Sequence, residues 1–99
     1  MNEEVIKNYE RDLRFFCRLA ADSQIDANEW SSGDKAAICW AARDAFKLAA
    51  DQMFYRLEAL RPGVYHVTSI YGRQQFINDQ VQRIIKEKTD HEQKTQPLS

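Results

Sequence analysis

The sequence predicts an all-α fold, a small antiparallel three-helix bundle that forms a single domain. A chain of 99 residues is long enough for one hydrophobic core. It contains only 3 Gly and 2 Pro, the residues least favourable inside a helix. Apolar side chains recur three and four residues apart in three separate segments, as one face of a helix requires. These segments place the helices at about 3–21, 32–60 and 69–88.

The first predicted helix covers about residues 3–21. Asn2 suits its N-cap, and Glu3 and Glu4 put carboxylates near the positive end of the helix dipole. One apolar stripe is expected to face the core, and it consists of Val5, Tyr9, Leu13, Phe16 and Ala20. The following segment, 22–30, is rich in residues that cap helices, so we expect a loop there, with room for one short helical turn that starts at Asp26.

The second predicted helix covers about residues 32–60, with Ser31 or Ser32 as its cap. Its apolar residues form one continuous seam, made of Cys39, Ala42, Phe46, Ala49, Met53, Leu57 and Leu60. Pro62 lacks the N–H that a continuing helix needs, and Gly63 accepts the positive φ of a type II turn. We therefore expect the helix to end just before this pair.

The third predicted helix, about 69–88, follows a short extended connector at 64–68 that is rich in β-branched and aromatic residues. Its apolar line consists of Ile70, Ile77, Val81, Ile84 and Ile85. The single helical domain then spans 1–89. Residues 90–99 carry no apolar period, and we expect them to be a disordered C-terminal tail.

Composition excludes several classes of protein. The chain has 14 basic and 15 acidic side chains, a net charge of −1 and a pI near 6.1. This balance excludes both a polycationic nucleic-acid coat and a strongly acidic DNA mimic. Apolar runs are too short to span a bilayer, and the acidic start is unlike a signal peptide, so we expect a cytoplasmic protein. Two cysteines, Cys17 and Cys39, are expected to be buried free thiols.

The sequence marks out no catalytic or metal-binding constellation. His91 falls in the predicted tail, and His66 stands alone in the predicted connector. Cys17 and Cys39 lie 22 positions apart with no histidine beside them, unlike the ligands of a zinc site. The three glycines are isolated, which argues against a phosphate-binding loop. We therefore expect a non-enzymatic protein without a cofactor.

A basic ridge is predicted on the solvent side of the first helix. Four cations fall within a narrow band opposite the apolar stripe: Lys7, Arg11, Arg14 and Arg18. A solvated face that favours solubility is one interpretation. The other is a docking strip for phosphates or for an acidic protein surface. Nucleic-acid binding, with Arg73, Arg83 and Lys86 added to the ridge, is thus the alternative function.

Aromatic residues on the predicted polar side of the second helix point to a protein interface. The predicted protein-binding residues are Trp40, Asp44, Lys47, Asp51, Phe54 and Tyr55. The helix is either the middle of the bundle, touching neighbours on two sides, or part of an interface with a second copy or another protein. A third interpretation is that the assumed phase of the helix is wrong. The favoured function is a small regulator, adaptor or inhibitor that acts by protein–protein interaction, with a homodimer compatible with that role.

Overall fold

A computed structural model describes residues 3–30, 33–65 and 70–95. It contains three helices, α1 (Glu3–Trp30), α2 (Asp34–Leu60) and α3 (Ile70–Thr95), and the described ranges hold no strand. α1 and α2 run antiparallel and form by far the larger interface, while α3 packs less extensively on both of them. The predicted all-α three-helix bundle is confirmed.

α1 ends nine residues beyond its predicted end, because the expected loop at 22–30 is helical. The loop prediction is wrong because contacts with other helices offset the weak local preference of these residues. Ala27 is fully buried, the side chain of Gln24 accepts a hydrogen bond from Arg43 of α2 at 3.4 Å, and Asp22 forms an ion pair with Lys88 of α3. Tertiary packing commonly decides the state of such a segment.

α2 begins at Asp34, and its N-cap is Gly33 rather than a serine. Gly33 has φ 93° and ψ −173°, a conformation that side chains with a Cβ rarely adopt, and its carbonyl accepts the first helical bond from Ala37 N–H at 3.1 Å. No side-chain cap contributes there. The predicted serine caps, residues 31 and 32, lie outside the described residues.

The predicted turn after α2 is confirmed. Val64 N–H donates a hydrogen bond to the Arg61 carbonyl at 3.2 Å, and Gly63 has φ 82°, as the third residue of a type II turn requires. The extended connector predicted at 64–68 is wrong at its start, because Val64 closes this turn and Tyr65 follows it in a bend. The rest of that connector, 66–68, lies outside the described residues.

α3 continues as a helix to Thr95, beyond the predicted end near residue 88. The prediction that disorder begins at residue 90 is therefore wrong for 90–95, and 96–99 lie outside the described residues. Half of this stretch, Glu92, Gln93 and Lys94, consists of straight-chain residues, which lose little free energy in a helix. Adding residues to an existing helix also avoids the cost of nucleation, so an apolar period is not required.

The core joins all three helices. Small residues lie between α1 and α2, and larger residues from all three helices fill the rest. Ala20, Ala21 and Ala50 are fully buried and let α1 and α2 approach closely. Larger buried residues from all three helices complete this core, namely Leu13, Cys17, Phe54, Leu57, Ile77 and Val81. Three predicted core residues are instead exposed at helix ends, where neighbours are fewer: Val5, Leu60 and Ile70.

Candidate functional site

The predicted aromatic face of α2 is divided between core and surface. Phe54 is fully buried, and its ring packs against Phe76 of α3 at 4.7 Å and against Tyr65 at 5.3 Å between centroids. Its prediction as an interface residue is wrong, because the buried side of α2 is turned toward Phe54 and Ala50 relative to the predicted seam. For this part of α2, the interpretation as the middle of the bundle is correct.

Asp51 also faces α3 rather than open solvent. Its Oδ1 accepts a hydrogen bond from Arg73 Nε at 3.1 Å, and the two side chains are 14% and 18% exposed. The Arg73 guanidinium lies 5.3 Å from the Tyr55 ring centre, and Tyr55 itself is 57% exposed. Trp40 is half-buried, and the guanidinium of Arg43 lies 4.5 Å from its ring centre. These contacts orient Tyr55 at the edge of an open surface.

Three of the predicted protein-binding residues meet in one depression between α2 and α3. Asp44, Lys47 and Asp51 line it together with Leu48 and Ile70, and its volume is about 370 Å³. Partial burial lowers the pKa of Lys47, and the neighbouring charge of Arg43 lowers it further, while Asp44 opposes both effects. The depression thus combines apolar walls with charges of both signs, and it borders the exposed side of α2.

The outer stripe of α2, as we name it, is a surface of which the sequence analysis singled out only Tyr55. It runs three and four residues apart along the helix and consists of Ile38, Ala41, Ala45, Leu48, Gln52, Tyr55 and Ala59, all of them exposed. Ile38 and Leu48 are 66% and 65% exposed. The stripe lies on the side of the helix opposite Ala50, Phe54 and Leu57. Its spacing was visible in the sequence as a second apolar series beside the predicted core seam.

The basic ridge of α1 is solvent-exposed along its whole length, at Lys7, Arg11, Arg14 and Arg18. The Arg11 side chain lies 3.4 Å from the carboxylate of the adjacent Asp12. Arg14 and Arg18 instead border a groove between α1 and α3, and Arg83 lies at the opposite edge. The structure therefore divides the ridge, since only half of it meets α3.

Cys17 and Cys39 are both free, and Cys17 is buried whereas Cys39 is half-buried. Burial raises the pKa of the Cys17 thiol to about 11, which favours its unreactive protonated form. Within the described ranges, no cluster of three or more His, Cys, Asp or Glu side chains could hold a metal ion. His66 lies outside those ranges. No helix in the described part of the chain combines the length and apolar character that crossing a membrane demands.

Comparisons with protein families, with curated proteins and with solved structures found no match for this chain.

Proposed function

We propose that this protein is a small non-enzymatic interaction module that acts as a homodimer, in which the outer stripe of α2 packs antiparallel against the same stripe of a second copy. The observation that carries the proposal is the exposure of an uncharged series, apolar except at Gln52, on the helix side opposite the core. Scattered exposed apolar residues are common on protein surfaces, whereas an ordered stripe at coiled-coil spacing is not. Regulation or scaffolding of another protein would then build on this dimer.

The hydrophobic effect favours covering the stripe. Fully burying a Leu or Ile side chain stabilises a protein by about 1.5–3 kcal/mol, and Leu48 and Ile38 are each about two-thirds exposed in the single chain. The stripe contains no charged residue, and the buried centres of protein interfaces are likewise depleted of charge. Gln52, its one polar residue, carries an amide that can hydrogen-bond across an interface.

The order of large and small residues along the stripe favours an antiparallel second copy over other occupants. With the two-fold axis between Leu48 and Ala49, Ile38 of one copy faces Ala59 of the other. The same alignment places Tyr55 against Ala42, the neighbour of Ala41 in the chain, and Gln52 against Ala45. Ile38 and Tyr55 each meet an alanine, while Leu48 meets its own copy beside the axis, and this order permits close helix approach and interdigitated packing. A parallel pair would instead set Ile38 against Ile38 and leave Ala45 and Ala59 facing their own copies.

Nucleic-acid binding is supported less well, because several basic groups already have acidic partners. Of the basic residues assigned to that function, Arg11 lies 3.4 Å from the carboxylate of Asp12, and Arg73 lies 3.1 Å from that of Asp51. A protein that binds DNA or RNA through phosphate contacts would lose affinity steeply as salt rises from about 50 to 200 mM. An apolar dimer interface would change little over that range, so salt dependence separates the two functions.

The direct test is the molar mass of the purified chain, measured by light scattering on a size-exclusion column over a range of concentrations. The wild-type protein is expected at twice 11.6 kDa. Leu48→Glu places a charge at the centre of the stripe and should give the single-chain mass with unchanged helical circular dichroism. The matched control is Phe15→Glu, which changes a residue of α1 that is 50% exposed and should leave the dimer intact. A monomeric wild type, or equal masses for the two variants, would overturn the proposal.

A further inference from the structure

A groove of about 530 Å³ lies between α1 and α3, away from the outer stripe of α2. It exists because α3 packs less extensively on α1 than α2 does. Apolar side chains from α1, α2 and α3 line it, including Leu13, Leu57, Phe76 and Ile84. Its volume falls within the range of about 300–1,000 Å³ that is typical of small-molecule sites.

The edges of the groove are predominantly cationic. Arg14 and Arg18 border it on one side and Arg83 on the other, and none of the three has an acidic partner within 4 Å among the described residues. Two carboxylates also border the groove. Glu10 is paired with Arg61, so Glu87 is the carboxylate whose negative charge offsets part of the positive charge of the three arginines. Three unpaired guanidiniums thus surround an apolar interior.

Tyr65 is one of the residues that line the groove. Its hydroxyl oxygen is buried and finds no hydrogen-bond partner among the described residues. Leaving a buried polar group unpaired costs about 1–3 kcal/mol, so a ligand that accepts its hydrogen bond gains from pairing it. A carboxylate can accept a hydrogen bond from this hydroxyl and from an arginine together.

We infer that the groove binds a single-chain amphipathic carboxylate of the fatty-acid class. The alkyl chain would lie on the apolar floor between Leu13 and Ile84. The carboxylate would pair with Arg14 and Arg83 at the edges, and it would accept a hydrogen bond from the Tyr65 hydroxyl. This site is separate from the outer stripe and does not depend on dimer formation.

The combination of size and charge favours a small amphiphile over a docked protein helix. A helix with its side chains is about 10–12 Å across and needs a longer, more open trough. The guanidinium group recognises a carboxylate through two parallel hydrogen bonds, whereas a cationic head group would be repelled by the same edge. Net attraction is therefore expected for anionic amphiphiles only.

Isothermal titration calorimetry with saturated fatty-acid anions of increasing length, each below its micelle concentration, tests this inference. One ligand should bind per chain, and each added methylene should tighten binding by up to about four-fold until the groove is full.

Arg14→Gln and Arg83→Gln should each weaken dodecanoate binding by about ten-fold or more. Tyr65→Phe removes only the hydroxyl and should weaken it several-fold. Arg11→Gln, a ridge cation outside the groove, is the matched control and should bind as the wild type does.

Several results would overturn the inference. A trimethylammonium amphiphile of the same chain length that binds as tightly as dodecanoate would show that charge plays no part. Weakening by Arg11→Gln equal to that by Arg14→Gln would indicate general surface attraction. An acidic amphipathic peptide that displaces dodecanoate and binds more tightly would assign the groove to a protein partner. The Leu48→Glu variant should bind dodecanoate as the wild type does, because residue 48 lies outside the groove. The fatty-acid inference can therefore be tested whether or not the chain forms the proposed dimer.

Discussion

The ring centre of Phe54 on α2 lies 4.7 Å from the ring centre of Phe76 on α3, and the two ring planes are inclined at 59°. The Tyr65 ring, just after the turn that ends α2, packs on the same Phe54 ring at 5.3 Å. Phe54 therefore links α3 and the connecting turn to the hairpin of α1 and α2. Because α3 has the smaller interfaces in the bundle, its attachment depends on Phe54 together with Ile77 and Val81, which α3 buries in the same core.

Phe54→Ala is expected to lower the free energy of unfolding by about 3–5 kcal/mol, since it removes a fully buried ring and two aromatic contacts. Urea unfolding followed by circular dichroism measures the change. The matched control is Tyr71→Ala on α3, whose side chain is 79% exposed and whose loss should cost within about 0.5 kcal/mol. Comparable losses in the two variants would contradict the core position of Phe54.

Gly63→Ala should destabilise the protein by about 1 kcal/mol through backbone strain alone. Gly63 has φ 82°, and a Cβ added there would meet nothing within 4 Å, so steric clash contributes nothing. Gly63→Asn should recover part of the loss, because Asn tolerates the left-handed region better than Ala does. The urea midpoints of both variants measure the effect. An Asn variant less stable than the Ala variant would argue against this account of the turn.

The helical bundle and the turn at Gly63 could be predicted from the sequence because both depend on local signals, apolar spacing and backbone chemistry. The segment 22–30 could not, since its helix is held by Ala27 burial and by the pairing of Asp22 with Lys88, contacts distant in sequence. The orientation of α2 was harder still. This helix is apolar on nearly all sides, so its spacing alone could not distinguish the side of Phe54 from the side of Leu48.

The candidate sites depended on that orientation and on the position of α3. The four cations of α1 are exposed as their spacing predicted, but only the structure brings Arg14 opposite Arg83. Helix phase determines which residues of one helix share a face. It carries no information on which neighbouring helix leaves a groove beside that face, because this depends on the packing of α3.

Stability should fall at alkaline pH because of Cys17. Burial raises its pKa from 9.0 to about 11, so the folded protein keeps a proton that the unfolded chain releases. The stabilising contribution is complete below pH 9 and is lost as pH rises toward 11, at a rate on the order of 1 kcal/mol per pH unit. The lowered pKa of Lys47 acts in the opposite direction over an overlapping range. The test therefore measures the free energy of unfolding of the wild type and of Cys17→Ala between pH 9 and 11. It should fall more steeply with pH in the wild type than in the variant. A variant slope as steep as the wild-type slope would exclude Cys17 as the source.

The orientation of the proposed dimer can be tested by cross-linking at two positions of the outer stripe. In a chain whose Cys17 and Cys39 are replaced by Ala, Leu48→Cys places a thiol beside the two-fold axis of an antiparallel pair. Oxidation should then link two chains in high yield. Ile38→Cys is the matched variant, because antiparallel packing separates its two copies by about 30 Å along the helices, and it should remain unlinked. A parallel pair would link at both positions, whereas the absence of any link at residue 48 would place the dimer interface elsewhere.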